Sequence, residues 1–423
     1  MTTHPRLLVF GEAAIPSGTA RVTTTLLTQL AARWDIQCCA ARWPGDAPYP
    51  SPYPYTIYRA DLAGDEDRYG VRRYTPLVTH LEPQCVLLIC EIAVARQYLV
   101  AHNTLPSWPS MERPPVVAYV PVRGVGSPDV VYLNECALVV TPTLWGAQQL
   151  RRDGYKGPLT VLAPGVDLSL FFPRPRDEAR AHFGMEALAT PQTTIIGTLQ
   201  KNLLHHRLDT AVLGFASWVQ TQHLEDHAYL WLQCTNQGEP WERPYPGAGW
   251  DLQHLARQYG MEGNLLMPPA DLAAYGGALA DEELSWLYSA WDLSLAVSAD
   301  LGWGCSVLEA QACGIPVLLP QDMTPSWPPN DDGALSVAPL PSYMPSVDPV
   351  SGMLQGLVHP ETVAKALDGL LHGTAERQRL REAGLRVVQE ERFRWEAVAA
   401  QMDACLRAVV QERAYDVSTI GAE

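Results

Sequence analysis

Short apolar runs alternate along this chain with stretches whose apolar residues recur every three to four positions. Compact apolar runs bounded by polar turns read as strands covered on both faces, and the longer periodic stretches between them read as helices. In the first half, strands are predicted over residues 6–11, 36–41, 85–90, 116–122, 137–141 and 159–163, and helices over 19–34, 69–81, 93–102 and 145–153. The proline- and tyrosine-rich residues 44–58 read as a long loop, and 171–177 as a linker. The pattern then starts afresh, with strands over 194–199, 229–233, 265–267, 293–297 and 316–319 and helices over 208–219, 252–259, 282–290 and 307–313. Such alternation specifies an α/β chain: two doubly wound domains in tandem, with a ligand cleft at the C-terminal ends of their strands. From residue 360 the pattern is helical. Residues 395–410 carry Val398, Met402, Cys405 and Val409 on one face, and this helix is expected to pack back across both domains.

A length of 423 residues suits two domains. An apolar fraction of 47% supports sizeable cores and excludes wholesale disorder. The net charge of −16 argues against a generally basic, nucleic-acid-coating surface and leaves a local basic groove open. Nine cysteines without a C-x-x-C pair read as buried thiols in a reducing compartment. With no leader-like start and no apolar run long enough to cross a bilayer, a cytoplasmic location without a membrane span is expected.

The most informative stretch is Ser298 to Val317. An apolar strand ends at Ser298-Ala299-Asp300, the turn Gly302-Trp303-Gly304 follows, a helix starts near Cys305 and Ser306, and Gly314 and Pro316 close the unit. A glycine turn feeding a helix start presents free backbone N–H groups and a positive dipole end, which suit a phosphate. Glu309, about one turn in, offers two acceptor oxygens to a diol such as a ribose. In the first half, Pro16-Ser-Gly-Thr-Ala20 joins the first strand to the first helix, and Gly18 would let the backbone approach a phosphate or sugar.

Several motifs, in order, resemble the GT-B glycosyltransferases of glycosyltransferase family 4. Ser298, Gly302, Gly304, Leu308, Glu309, Ala310, Ala312, Gly314, Pro316 and Val317 match that family's hallmark. Leu284-Ser-Trp-Leu-Tyr-Ser-Ala-Trp-Asp292 resembles its L-x-x-L-Y-x-x-A-D helix, with Trp291 in place of alanine. Pro164-Gly-Val-Asp167 with Phe171 and Pro173 resembles its interdomain motif, and Tyr119-Val-Pro-Val122 and Thr143-Leu-Trp-Gly146 resemble its N-terminal strand and helix starts. Besides Trp291, three positions depart from the family: Leu301 stands where a glutamate usually contacts the transferred sugar, Pro164 replaces a histidine, and Arg123 replaces an acidic residue.

The resemblance implies a GT-B architecture. Residues 1–175 would be an acceptor-binding domain, 176–390 a nucleotide-sugar-binding domain, and 391–423 a helix packing back. It further implies a retaining, metal-independent transfer of a hexose from a nucleotide diphosphate sugar to an acceptor hydroxyl, with the cleft closing to exclude water. The expected donor contacts are Gly18, His206, Asp300, Gly302, Trp303, Gly304, Cys305, Ser306 and Glu309. Lys201 and Arg207, in the loop after the first strand of the second domain, are the expected diphosphate cations, and Glu91 is a candidate base or acceptor contact with helix N-capping as its alternative. Arg123 and Arg21 are candidate acceptor contacts. Asp65-Glu-Asp67 and Asp331-Asp332 follow no apolar strand and read as solvated charge, so no metal or other cofactor is expected. The acceptor stays open among a glycan, a small molecule and a hydroxymethylated base in DNA. For DNA, Arg68, Arg72, Arg73, Arg151 and Arg152 are the candidate contacts. A non-catalytic sugar-nucleotide or glycan-binding module is the rival class, motivated by Leu301.

Overall fold

The computed structural model describes residues 4–15, 17–43, 52–60, 67–105, 113–236, 249–268, 279–298, 302–321, 336–347 and 352–420. Asp300, Leu301, Asp65 and the Asp331-Asp332 pair lie outside them. The chain divides into two compact units. Unit 1 is Met1–Val122, Gly126–Gly165 and Glu391–Glu423, and unit 2 is Arg123–Val125 and Val166–Glu390. The division thus falls at residue 165 where 175 was expected, and the C-terminal helix clusters with unit 1.

Unit 1 is built from β1 (Arg6–Glu12), α1 (Gly18–Leu30), β2 (Asp35–Ala41), β3 (Thr56–Arg59), α2 (Tyr74–Leu81), β4 (Cys85–Ile89), α3 (Ile92–Asn103), β5 (Val116–Tyr119), β6 (Leu138–Thr141), α4 (Leu144–Arg152) and β7 (Leu159–Val161). Its seven strands run in the order β3-β2-β1-β4-β5-β6-β7, all paired in parallel. Leu7 to Phe10 and Cys85 to Ile89 are fully buried, as expected of central strands covered on both faces. On one face Phe10 packs against Tyr74 and Tyr98, each with ring centroids 4.9 Å away. Strand order reverses between β1 and β4, the kind of switch point at which doubly wound sheets bind ligands. β3 lies in what the sequence pattern reads as loop.

Unit 2 contains α5 (Arg176–His182), β8 (Thr194–Leu199), α6 (Leu208–Gln222), β9 (Ala228–Gln233), α7 (Leu252–Gln258), β10 (Leu265–Leu266), α8 (Asp281–Ala290), β11 (Leu293–Leu295), α9 (Cys305–Ala312), β12 (Val317–Pro320) and β13 (Ala338–Leu340). A hairpin of β14 (Ser342–Val347) and β15 (Leu354–Val358) follows, then α10 (Pro360–His372) and α11 (Thr374–Val387). The six-stranded sheet has the order β10-β9-β8-β11-β12-β13, again with parallel pairs, and reverses between β8 and β11.

Two details fix that reversal point. Thr198 donates its hydroxyl hydrogen to the Leu295 carbonyl, 2.9 Å away, tying β8 to β11. Asp292 accepts from the buried Arg180 at 2.7 Å and from the Ile195 N–H at 2.8 Å, so the acidic end of the Leu284–Asp292 motif anchors β8. The Val125 N–H and carbonyl pair with Leu354, and Gln355 bonds the Arg123 carbonyl, which explains why residues 123–125 cluster with unit 2.

The C-terminal helix α12 (Trp395–Ile420) packs on α1 within unit 1. Val398, Met402 and Val409 are buried as its apolar face predicts, together with Leu406, while Cys405 is half-buried. Asp403 accepts from the Trp34 indole N–H at 2.7 Å and is flanked by Arg33 and Arg407. Among the described residues, no helix is long and apolar enough to cross a membrane.

Candidate active site

The reversal between β8 and β11 places two loops side by side at one edge of the unit 2 sheet, because each leaves the C-terminal end of an adjacent parallel strand. One is Gln200–Arg207 and the other leads through Gly302-Trp303-Gly304 into α9. Gly302 and Gly304 have φ of 55° and 73°, left-handed values that glycine adopts without cost, and Gly304 is the N-cap of α9. Trp303 and Cys305 are buried, and Ser306 is half-buried. Glu309 is 3% exposed, and its Oε2 accepts the Tyr288 hydroxyl at 2.9 Å. A carboxylate this deep needs donors. Tyr288 supplies one and orients the group.

The opposite loop is held by Asn202. Its side-chain amide reaches the carbonyls of Thr235, Asn236 and Trp250 at 3.0, 3.1 and 2.8 Å, and its Oδ1 accepts the Trp250 N–H at 2.9 Å. Around this anchor, Leu204–His206 forms one 3-10 turn, and the His206 Nδ1 lies 2.6 Å from the Lys201 carbonyl. The rings of His205 and His206 meet edge to face, with centroids 4.4 Å apart. Among the described residues nothing pairs with the Lys201 ammonium. Arg207 sits at φ 52° and turns its fork onto Asp209, Nε to Oδ1 at 3.0 Å and Nη2 to Oδ2 at 2.8 Å.

Arg123, expected in the acceptor-binding domain, belongs to unit 2, where its charge reaches both imidazoles. Burial, then His206, Arg123 and Lys201, push His205 far below the ordinary histidine range. Burial lowers His206 to about 3, against a smaller upward pull from the Lys201 carbonyl, with Arg123 and Lys201 lowering it further. Both rings are therefore neutral near pH 7.

In unit 1, the loop after β1, next to the β1/β4 reversal, carries its own polar group. Ser17 caps α1, accepting the Ala20 N–H at 3.0 Å, and donates to Glu12 Oε2 at 2.6 Å. Arg42 meets Glu12 Oε1 at 3.2 Å. A Cβ placed on Gly18 would meet nothing within 4 Å, so its backbone borders open space. Arg21 is half-buried one turn into α1. Glu91 occupies the N-cap position of α3, yet its side chain makes no capping bond; its carbonyl accepts the Val94 and Ala95 N–H groups instead. Burial foremost, then Glu91, Cys136 and Glu12, raise the Cys90 thiol well above its ordinary range. Two of the arginines considered for DNA serve the fold. Arg73 bonds the Arg59 carbonyl, and Arg151 bonds those of Tyr155 and Gly157.

Sequence reasoning missed Glu12, Arg42, Asn202, His205 and Tyr288. Glu12 was legible as the polar residue ending the first strand. The anchoring role of Asn202 depends on Trp250, 48 positions on, and left no local signal.

No family model matches the chain. Among curated proteins it is 28% identical over 253 residues to a D-inositol 3-phosphate glycosyltransferase of Segniliparus rotundus, covering 60% of this chain and 47% of that protein. A protein of the same name from Thermobispora bispora is 27% identical over 305 residues, 71% of this chain and 62% of its own length. The matches thus span less than two thirds of either relative. Among solved structures, sucrose-phosphate synthase from Thermosynechococcus elongatus superposes with a TM-score of 0.72 at 17% identity, covering 97% of this chain and all of that one. Anabaena HepE, solved in complex with UDP-glucose, superposes with a TM-score of 0.65 at 14% identity over 96% of this chain and all of HepE. The fold is GT-B, and the resemblance carried by the motifs agrees with both comparisons.

Proposed function

Because the chain is related in sequence to curated glycosyltransferases and has their GT-B fold, we propose that it transfers a hexose from a nucleoside diphosphate sugar to an acceptor hydroxyl. The observation that carries this reading is the meeting, at one sheet reversal, of the Lys201 loop with a left-handed glycine turn feeding α9, whose first turns carry a buried, oriented Glu309. Glu309 accepts the ribose hydroxyls. The α9 backbone N–H groups and Lys201 take the diphosphate, whose negative charge grows as the glycosidic bond breaks, so groups fixed there lower the barrier. Arg123 adds a second permanent cation to this edge.

Transfer proceeds with retention and without a metal. The leaving diphosphate oxygen receives the acceptor hydroxyl's proton as the new bond forms on the face the donor leaves. Glu12, Glu91 and the open backbone at Gly18 suit an acceptor rich in hydroxyl groups, because ionised carboxylates are strong hydrogen-bond acceptors. A thermal-shift panel of UDP-, GDP- and ADP-sugars tests the reading, since a ligand bound only by the native state raises the melting temperature. One nucleotide series should stabilise the protein and be hydrolysed slowly without acceptor. Failure of every nucleotide sugar to stabilise it would overturn the assignment, and binding with no hydrolysis or transfer would favour a binding module.

A further inference from the structure

The loop after β8 contains a feature that the transfer reaction alone does not require. Beside its cations stands a neutral imidazole whose one ring hydrogen is assigned by the backbone. The Lys201 carbonyl 2.6 Å from His206 Nδ1 can only accept, so in the neutral ring Nδ1 carries the hydrogen and Nε2 is left with a lone pair. No described residue bonds that Nε2. A lone pair repels a phosphate oxygen, whereas an N–H attracts it. The charged groups that reach this ring are Arg123 and Lys201, and both oppose a further positive charge, while the neutral His205 ring packs against it. The nearby carboxylate of Asp209 is engaged by Arg207.

We infer that His206 is a switchable cation: neutral in the free protein, it takes a proton from solvent onto Nε2 when a diphosphate occupies this loop, and the imidazolium then holds the diphosphate. This rests on the reading that the loop binds the donor diphosphate. The step balances simply, with one proton leaving the buffer and one N–H forming on the ring. The cause is electrostatic. A diphosphate beside Lys201 and Arg123 neutralises the fields that suppress protonation and adds an attractive one, while the Nδ1 hydrogen bond stays in place. A nucleoside diphosphate carries one more negative charge than its sugar ester. Protonation is therefore fuller around the leaving group than around the intact donor, so the added charge stabilises the departing diphosphate more than the ground state. His206 is thus a catalytic residue whose charge follows that of the leaving group.

Calorimetry of UDP, ADP, GDP and inorganic pyrophosphate binding to the full chain, in buffers of different ionisation enthalpy, measures the protons taken up. His206→Lys supplies a permanent cation and serves as the reference that cancels each ligand's own titration. At pH 7 the wild type should take up about one proton more than His206→Lys. Its affinity should fall by up to about tenfold per pH unit as pH rises until the complex's own pKa is passed. The affinity of His206→Lys should follow only each ligand's own titration over the same range. His206→Asn keeps a donor near the Lys201 carbonyl but cannot ionise, so it should lose both the uptake and the affinity. Circular dichroism confirms that each variant is folded. If His206→Lys does not fold, the comparison with His206→Asn decides. Equal proton uptake by wild type and a folded variant overturns the switch. No binding by any of the four ligands overturns the donor-site reading itself, and the switch with it.

Discussion

Gly197 and Trp291 form a matched pair, and their coupling can be worked from geometry. A Cβ on Gly197 would lie 1.7, 2.0 and 2.1 Å from three atoms of the Trp291 indole, where ordinary contact begins near 3.4 Å. Trp291 is 2% exposed, so its ring would have to retreat by well over an ångström into packed neighbours. Overpacking of this kind costs about 1–3 kcal/mol, and here the upper end or beyond applies because the ring has no solvent side to move toward. Trp291→Ala empties the same space, for a loss of about 3–5 kcal/mol. If the two acted independently, Gly197→Ala/Trp291→Ala would lose about 6–8 kcal/mol. With the ring gone, the added methyl instead fills part of the void. The double variant should then lose no more than Trp291→Ala alone, a coupling of about 3 kcal/mol. Because the chain has two units, a single global transition is the wrong measure. Hydrogen exchange of β8 and β11 under increasing denaturant isolates the affected sheet. Additive losses in the double variant would refute the packing argument.

Three further outcomes follow from the site. Glu309→Gln keeps the bond from Tyr288 but replaces a charge-assisted ribose contact with a neutral one, so UDP affinity measured by calorimetry should drop about five- to tenfold; an unchanged affinity would place the ribose elsewhere. Asn202→Ala leaves the Trp250 N–H and several carbonyls without their partner, and should destabilise the Lys201 loop by about 2–3 kcal/mol, seen as faster hydrogen exchange over 200–207, while β1 and β4 exchange as before. Activity should persist in excess EDTA; its loss, with recovery on adding magnesium or manganese, would show that a metal takes part.

Much of the fold was legible because β1 and β4 carry continuous apolar runs, the pattern of a strand buried on both faces, and β8 and β11 are short buried stretches with only small polar residues among their apolar ones. What escaped lies at the sheet margins. β3 is a four-residue edge strand that follows a proline-rich stretch, and among the described residues it pairs with β2 alone. β13 contains Pro339 and β14 contains Pro345, and a proline argues against a strand unless the strand is at an edge. The carbonyl pairing that draws residues 123–125 into unit 2 is backbone chemistry, invisible to residue type, and it relocated Arg123.

The site shows the same division more sharply. The α9 turn and Glu309 were readable because glycines at left-handed positions and a carboxylate one turn into a helix leave a local trace. The partners of charged residues do not. Residue type announces neither the fork of Arg207 on Asp209 nor the His206 Nδ1 against the Lys201 carbonyl. The replacement of alanine by Trp291 reads as a departure from the family motif. In the fold it is accommodated by a glycine on the neighbouring strand, with Leu293, two residues on, registered against Ile196, the residue before Gly197. A departure compensated across a sheet pair in this way leaves the loops above it where the chemistry needs them. The same reasoning makes His206 more informative than a lysine in its place would be: a neutral ring held by its own loop and surrounded by cations gains charge only when an anion arrives.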